Sequence, residues 1–308
     1  MLRRALLPTI LLVLVAIPTT TAHAAVTTKK AIWGPVEIDS QSQFPVYKEL
    51  GAGIYQTTLN WADVASLEPL DAKDVEDPSY EWPDEIDTAI DEAKSAGIDV
   101  ALTVTGAPDW ANGGKAPTTG PTKAADFATF LSVAAQRYPS VHLWSIWDGP
   151  YKGGAGKYAQ LLDGAYVKLK AASKLNKVIG GQSTTSTAAK WIPKLKLPNG
   201  KAPRMDFYGH DPSGSKAPTA ASLKSLETKV AKLGKGLKLY LSPVKLTLSP
   251  TKQAAWIKAA LKATKADKNV ATFGYQGLID DSNVPSTWKG LLDTDGTKKA
   301  AFTAFKNG

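Results

Sequence analysis

The chain of 308 residues contains no cysteine. That excludes disulfide cross-links, zinc–thiolate centres and a cysteine nucleophile, so a protein of this length must rest on its hydrophobic core. Histidine is nearly as scarce, at three residues. His142 and His210 stand far apart with no helical ligand spacing, which excludes a histidine-rich metal site, and no cofactor is implied. Lysine and arginine (37) exceed aspartate and glutamate (28), giving a formal charge of +9. No run of five basic residues occurs, however, so the excess reads as solvated faces or attraction to cell-wall polyanions, not as a nucleic-acid footprint.

What is present begins with an export signal. Arg3 and Arg4 precede an apolar run from Ala5 to Ile17, and Ala22-His23-Ala24 is a small-x-small cleavage site, so residues 1–24 are expected to be removed and the mature chain to start at Ala25. The apolar run is shorter than the roughly 20 residues a membrane anchor requires, and nothing later approaches that length. The expected location is extracellular, with no membrane anchor after cleavage and a charge reduced to +7.

From Lys30 onward, short apolar or β-branched runs alternate with segments of helical period, the pattern of βα units around a parallel sheet. Eight runs read as strands: Lys30 to Trp33, Gly53 to Thr58, Ile98 to Thr105, Val141 to Ile146, Lys177 to Gly181, Met205 to His210, Leu237 to Ser242 and Val270 to Tyr275. Helical faces lie at Pro83 to Ala96, Thr122 to Arg137, Lys157 to Ala172, Ala220 to Leu233, Thr251 to Thr264 and Thr297 to Lys306. Eight such repeats predict one closed (β/α)8 TIM barrel over residues 25–308, because an open doubly wound sheet would carry a glycine-rich phosphate loop where Trp33-Gly34-Pro35 stands.

In such a barrel, ligands meet the C-terminal ends of the strands. Those ends carry Trp33, Asn60-Trp61, Asp109-Trp110, Trp147-Asp148, His210-Asp211 and Tyr275-Gln276, with Asp280-Asp281 just beyond. Flat aromatic faces beside carboxylates and an imidazole suit a sugar ring, whose C–H faces are apolar and whose hydroxyls need polar partners. The expected carbohydrate contacts are therefore Trp33, Trp110, Trp147, Asp148, His210, Asp211, Tyr275 and Asp280, with Trp110 and Trp147 as anchors. For His210 a backbone-bonded place at the rim is an equal alternative. Trp144, Trp256 and His142 read as structural, and Asp293 and Asp295 as turn residues.

Several passages taken in order, among them Ala31-Ile32-Trp33-Gly34-Pro35, Trp110-Ala111-Asn112-Gly113-Gly114, Ile146-Trp147, Gly209-His210-Asp211-Pro212 and Gly290-Leu291-Leu292-Asp293, resemble actinobacterial secreted barrels of the large retaining glycoside hydrolase clan. The resemblance implies a glutamate acid/base after the fourth strand and a glutamate nucleophile after the seventh, two carboxyls about 5 Å apart. Here the fourth-strand motif is Trp147-Asp148-Gly149-Pro150 and the seventh is Ser242-Pro243, so Gly149 and Pro243 occupy the two places. No glutamate lies near either strand end, and no acidic residue occurs between Glu227 and Asp267.

The expected function is thus that of a non-catalytic pseudoenzyme that binds polysaccharide or oligosaccharide. Two alternatives stay open. One is hydrolysis through displaced aspartates, Asp148 with Asp109, Asp211 or Asp280, since an inverting reaction tolerates carboxyls about 6.5–9.5 Å apart. The other is a cell-envelope scaffold with a vestigial cleft.

Overall fold

The computed structural model describes residues 28–149, 151–280 and 289–308. The expected signal peptide, Pro150 and Asp281 lie outside the described residues. Eight parallel strands close on themselves: β1 (Lys29–Trp33), β2 (Ile54–Asn60), β3 (Asp99–Thr105), β4 (Leu143–Ile146), β5 (Lys177–Thr184), β6 (Phe207–Asp211), β7 (Lys238–Val244) and β8 (Val270–Gln276). β1 closes the ring by pairing with both β2 and β8, as Ala31 opposite Ile54 and Gly274 shows. The (β/α)8 architecture read from the sequence is therefore the observed one, with strand ends moved by one to three residues.

A helix follows every strand: α1 (Phe44–Glu49), α2 (Asp84–Ala96), α3 (Ala124–Arg137), α4 (Ala155–Ala172), α5 (Ala188–Trp191), α6 (Ala220–Val230), α7 (Pro250–Lys265) and α8 (Ala300–Asn307). Their termini follow local chemistry. In α2, Asp84, Glu85 and Asp87 occupy the positive N-terminal turn and Lys94 the last turn, and Gly97 ends the helix at φ 72°. In α6, Thr219 and Ser222 form a reciprocal capping box. The helices α1 and α5, of six and four residues, are too short to show the amphipathic period and were not anticipated.

Alternation along the strands builds two hydrophobic regions. Outward residues such as Leu102, Val104, Trp144 and Ile146 pack under the helices with Phe127, Leu131 and Leu162. Inward residues Ala31, Ile54, Ala101, Ile179 and Tyr240 form a separate cluster inside the lower barrel, with Leu143 and Phe207 half-buried against it. Above that cluster the interior turns polar, with Gln56, Thr103, Ser145 and Ser242 all buried.

Phe127 of α3 is fully buried between Trp61 and Trp147, its ring centroid 5.7 Å from each. Phe127→Ala should destabilise the barrel by about 3–5 kcal/mol through lost contacts and a residual cavity. Urea denaturation reads this as a fall in midpoint at constant slope. A loss below about 1 kcal/mol would show that the wall does not depend on this ring.

Candidate functional site

At the mouth, the upper end of the polar interior is tied together by side chains from five strands. Trp33 donates its indole N–H to Ser242 Oγ at 3.1 Å, and Ser242 donates to Gln56 Oε1 at 2.5 Å. Gln182 donates to Ser145 Oγ at 2.8 Å. Ser242 shares its inward parity with Tyr240, so the hydroxyl is the group that β7 sends into the barrel. Pro243 follows it across a cis peptide, half-buried.

Two mouth residues other than glycine adopt left-handed backbone, Trp147 at φ 69° and Gln182 at φ 47°. Such conformations cost of order 1–3 kcal/mol and persist only where the surroundings impose them. At Trp147 the surroundings are a chain of rings. Its indole is 1% exposed and packs edge-on against Phe127 and Tyr151, and the series runs on through Tyr158 to Trp191 at centroid spacings of 5.3–5.7 Å. Trp147 therefore presents no free face to a ligand, which corrects its expected role as an anchor.

Three other expected contacts are also engaged elsewhere. Trp110 meets Trp61 edge-on at 5.4 Å, donates to the Ala65 carbonyl at 2.9 Å, and lines a cavity of about 150 Å³ with Tyr80 and Phe130 beside α3. Tyr275 is fully buried, its hydroxyl donating to the Lys289 carbonyl at 2.6 Å and accepting from Gln253 at 2.7 Å. Asp280 accepts from the Gly290 amide at 2.5 Å and pairs with the buried Lys299 at 2.8 Å. These three serve packing and loop closure. Their hydrogen-bond partners lie 10 to 45 residues away in sequence, which is why strand-end position alone suggested a ligand role.

His210 is turned outward by the alternation of β6, alongside Tyr208, while Asp211 faces inward. A register shift between Gly180 and Ser183 in β5 brings Ser183 to the same outer side. Tyr208 donates to Ser183 Oγ at 2.8 Å, and Ser183 lies 2.9 Å from His210 Nδ1. Burial pulls the imidazole down to about 4, so it is neutral at pH 7. His210 thus borders a cavity of about 400 Å³ between β6 and α6, outside the barrel axis.

What remains at the mouth is Trp33, half-buried, and two aspartates. Asp148 is exposed, accepts from the Gly149 amide at 2.7 Å, and is held by a 3.3 Å bond from its own amide to Thr105. Burial holds the Asp211 carboxyl above the ordinary carboxylate range, and the negative charge of Asp148 adds to the rise, against the Ser213 amide at 2.7 Å and Lys245. The ends of β4 and β6 therefore place two electrostatically coupled carboxyls at one mouth. Asp109 stands exposed at the start of the short helix Asp109–Asn112. Gly149, at φ 67°, has nothing within 4 Å of where a Cβ would stand.

No protein-family profile matches the chain, and no curated protein matches it by sequence. Solved structures do match in fold. A family 39 glycoside hydrolase from Bacteroides cellulosilyticus WH2 superposes over 92% of this chain with a TM-score of 0.71 at 15% identity; this chain spans about 64% of that one's length. A xylanase from Thermotoga petrophila RKU-1, solved with xylobiose, matches over 92% of this chain and 94% of its own, with a TM-score of 0.65 at 14% identity. An endo-β-1,4-glucanase from Xanthomonas axonopodis pv. citri matches over 91% and 98%, with a TM-score of 0.64 at 13% identity. The chain has the fold of the glycoside hydrolase barrels.

The depressed His210 titration has a consequence for stability. The unfolded chain binds a proton on this residue near pH 6.5 and the folded chain only near 4, so its contribution is complete above about pH 6.5 and is lost as pH falls toward 4. The loss amounts to roughly 3 kcal/mol. Comparing unfolding free energies at pH 7 and pH 4.5 should show a steeper decline in the natural chain than in His210→Asn. Equal declines would mean that His210 is protonated in the folded state.

Proposed function

We propose that this protein is an exported glycan-binding barrel that does not cleave glycosides by the retaining route. The observation that carries the proposal is the pair of strand ends where a retaining enzyme keeps its carboxyls. The end of β4 carries Gly149, without a side chain, and the end of β7 carries Ser242-Pro243, whose hydroxyl is committed to Gln56. Neither group can protonate a leaving oxygen at neutral pH or form a glycosyl ester. None of the eight glutamates stands on β4 or β7. Glu49 and Glu227 are paired with lysines, and Glu92 accepts from Ser42. The fold relatives include a xylanase solved with xylobiose and an endo-β-1,4-glucanase, so β-1,4-linked xylo- and cello-oligosaccharides are the first ligands to try. Trp33, Asp148 and Asp211 supply an indole edge and two acceptors for sugar hydroxyls. Export is supported by the leader-like N-terminus.

The coupled aspartates favour a second reading, an inverting hydrolase. A carboxyl whose proton affinity is raised by burial is the better suited of the two to act as acid, and an exposed carboxyl is suited to activate water. The two readings part in one experiment. Incubation with xylohexaose and cellohexaose, followed by mass spectrometry, should return uncleaved sugar, and a mechanism-based fluoro-glycoside should leave the protein mass unchanged. A covalent adduct contradicts the proposal outright. Cleavage with inversion that disappears in Asp211→Asn replaces it with the second reading.

A further inference from the structure

The opposite end of the barrel carries a cavity of about 840 Å³, lined by residues near the start of all eight strands together with Ile90 and Lys94 of α2 and the loops beside them. Its volume lies inside the range of about 300–1,000 Å³ usual for small-molecule sites. The walls are apolar: Ile54, Leu143, Phe207 and Tyr240 line it, and the half-buried state of Leu143 and Phe207 leaves apolar surface open to whatever enters. Beneath it, Ala31 and Ala101 pack with Ile54, Ile179 and Tyr240 in the apolar cluster of the lower barrel. The rim has one sign of charge in excess. Lys29, Lys94, Lys177 and Lys238 line it, against Asp99 alone among acids. Lys29 is spent on Asp99 at 2.7 Å and Lys177 lies 4.0 Å from Asp206, whereas Lys94 and Lys238 form no ion pair among the described residues. At the floor, the Tyr240 ring sits 6.2 Å from that of Phe207, and the Tyr240 hydroxyl is buried without a hydrogen-bond partner.

An apolar socket beneath a cationic rim is matched by a molecule with an apolar body and a single negative head, the body displacing water from Leu143 and Phe207 and the head staying at the wet lysine ring. A sugar does not fit that pattern, because its hydroxyls would meet the aliphatic walls without partners. We propose that the N-terminal end of the barrel is a binding site for an amphiphilic anion, of the class of a medium-chain fatty acid, independent of the glycan site at the mouth.

Titration calorimetry with laurate, below its micelle concentration, should give one molecule bound per chain. Dodecyltrimethylammonium, a cation of the same chain length, should bind at least tenfold more weakly. Reversing two rim charges together, Lys177→Glu with Lys238→Glu, should weaken laurate by about tenfold, as expected for two partly exposed charge contacts, while circular dichroism shows an intact barrel. Asp211→Asn, at the other end, should leave laurate affinity unchanged. The proposal is overturned if laurate does not bind, if the cation binds equally well, if a folded rim variant keeps full affinity, or if Asp211→Asn weakens laurate. None of these outcomes depends on whether the mouth binds sugar, so the two proposals stand or fall separately.

Discussion

Side chains alternate along eight strands that are closed into a ring, so each inward residue can meet only the inward residues at its own height. This constraint sorts the interior into storeys. The lowest is apolar, around Ala31, Ile54, Ala101, Ile179 and Tyr240. The next is polar, where Ser242 bonds both Gln56 and Trp33 and Gln182 bonds Ser145. The polar storey needs space from β8, and Gly274 supplies it: a Cβ there would stand 2.4 Å from Ser242 Oγ and 2.8 Å from Gln56 Oε1. Buried amides and hydroxyls are tolerable because they satisfy one another.

The same geometry gives the two ends of the barrel different chemistry. At the mouth, strand ends are backed by the ring series from Trp61 to Trp191, which fixes the backbone rigidly enough to keep Trp147 in a left-handed conformation. Rings used this way are not free to stack on a sugar, so the proposed glycan site is left with Trp33, Asp148 and Asp211. At the floor no such ring series exists among the lining residues, and Leu143 and Phe207 stay half-buried beneath lysines. The two proposals follow this difference, hydroxylated ligands at the first end and amphiphilic anions at the second.

The barrel itself was legible in the sequence because each buried strand is a short apolar run and most helices show a clear period, as Ile86, Ala89 and Ala93 do in α2. The proposal that Gly149 and Pro243 stand where two glutamates would be rests on different ground, the ordered resemblance of flanking passages to glycoside hydrolases. The directions of side chains at strand ends were not legible. At β5 a register shift carries Ser183 to the outer face with His210, and at β4 the positive φ of Trp147 breaks the simple alternation. Nor could position alone show that Tyr275 is held by Gln253 or Asp280 by Lys299, since those contacts arise only when α7 and α8 dock on the barrel. The floor cavity left no motif, because its lining is gathered a residue or two at a time from eight separate strands, with α2 and loop residues beside them.

The central claim is that a barrel with glycoside hydrolase architecture uses its mouth to hold a glycan through Asp148 and Asp211. The most direct measurement is calorimetric titration of the purified mature chain with xylohexaose and cellohexaose, alongside the Asp148→Asn, Asp211→Asn double variant shown by circular dichroism to be folded. The account predicts 1:1 binding of at least one of the two sugars by the natural chain, and a loss of at least about tenfold in the variant, as expected when two acceptor carboxylates lose their charge-assisted hydrogen bonds. Equal binding by the variant, or no binding of either sugar by the natural chain, would contradict it.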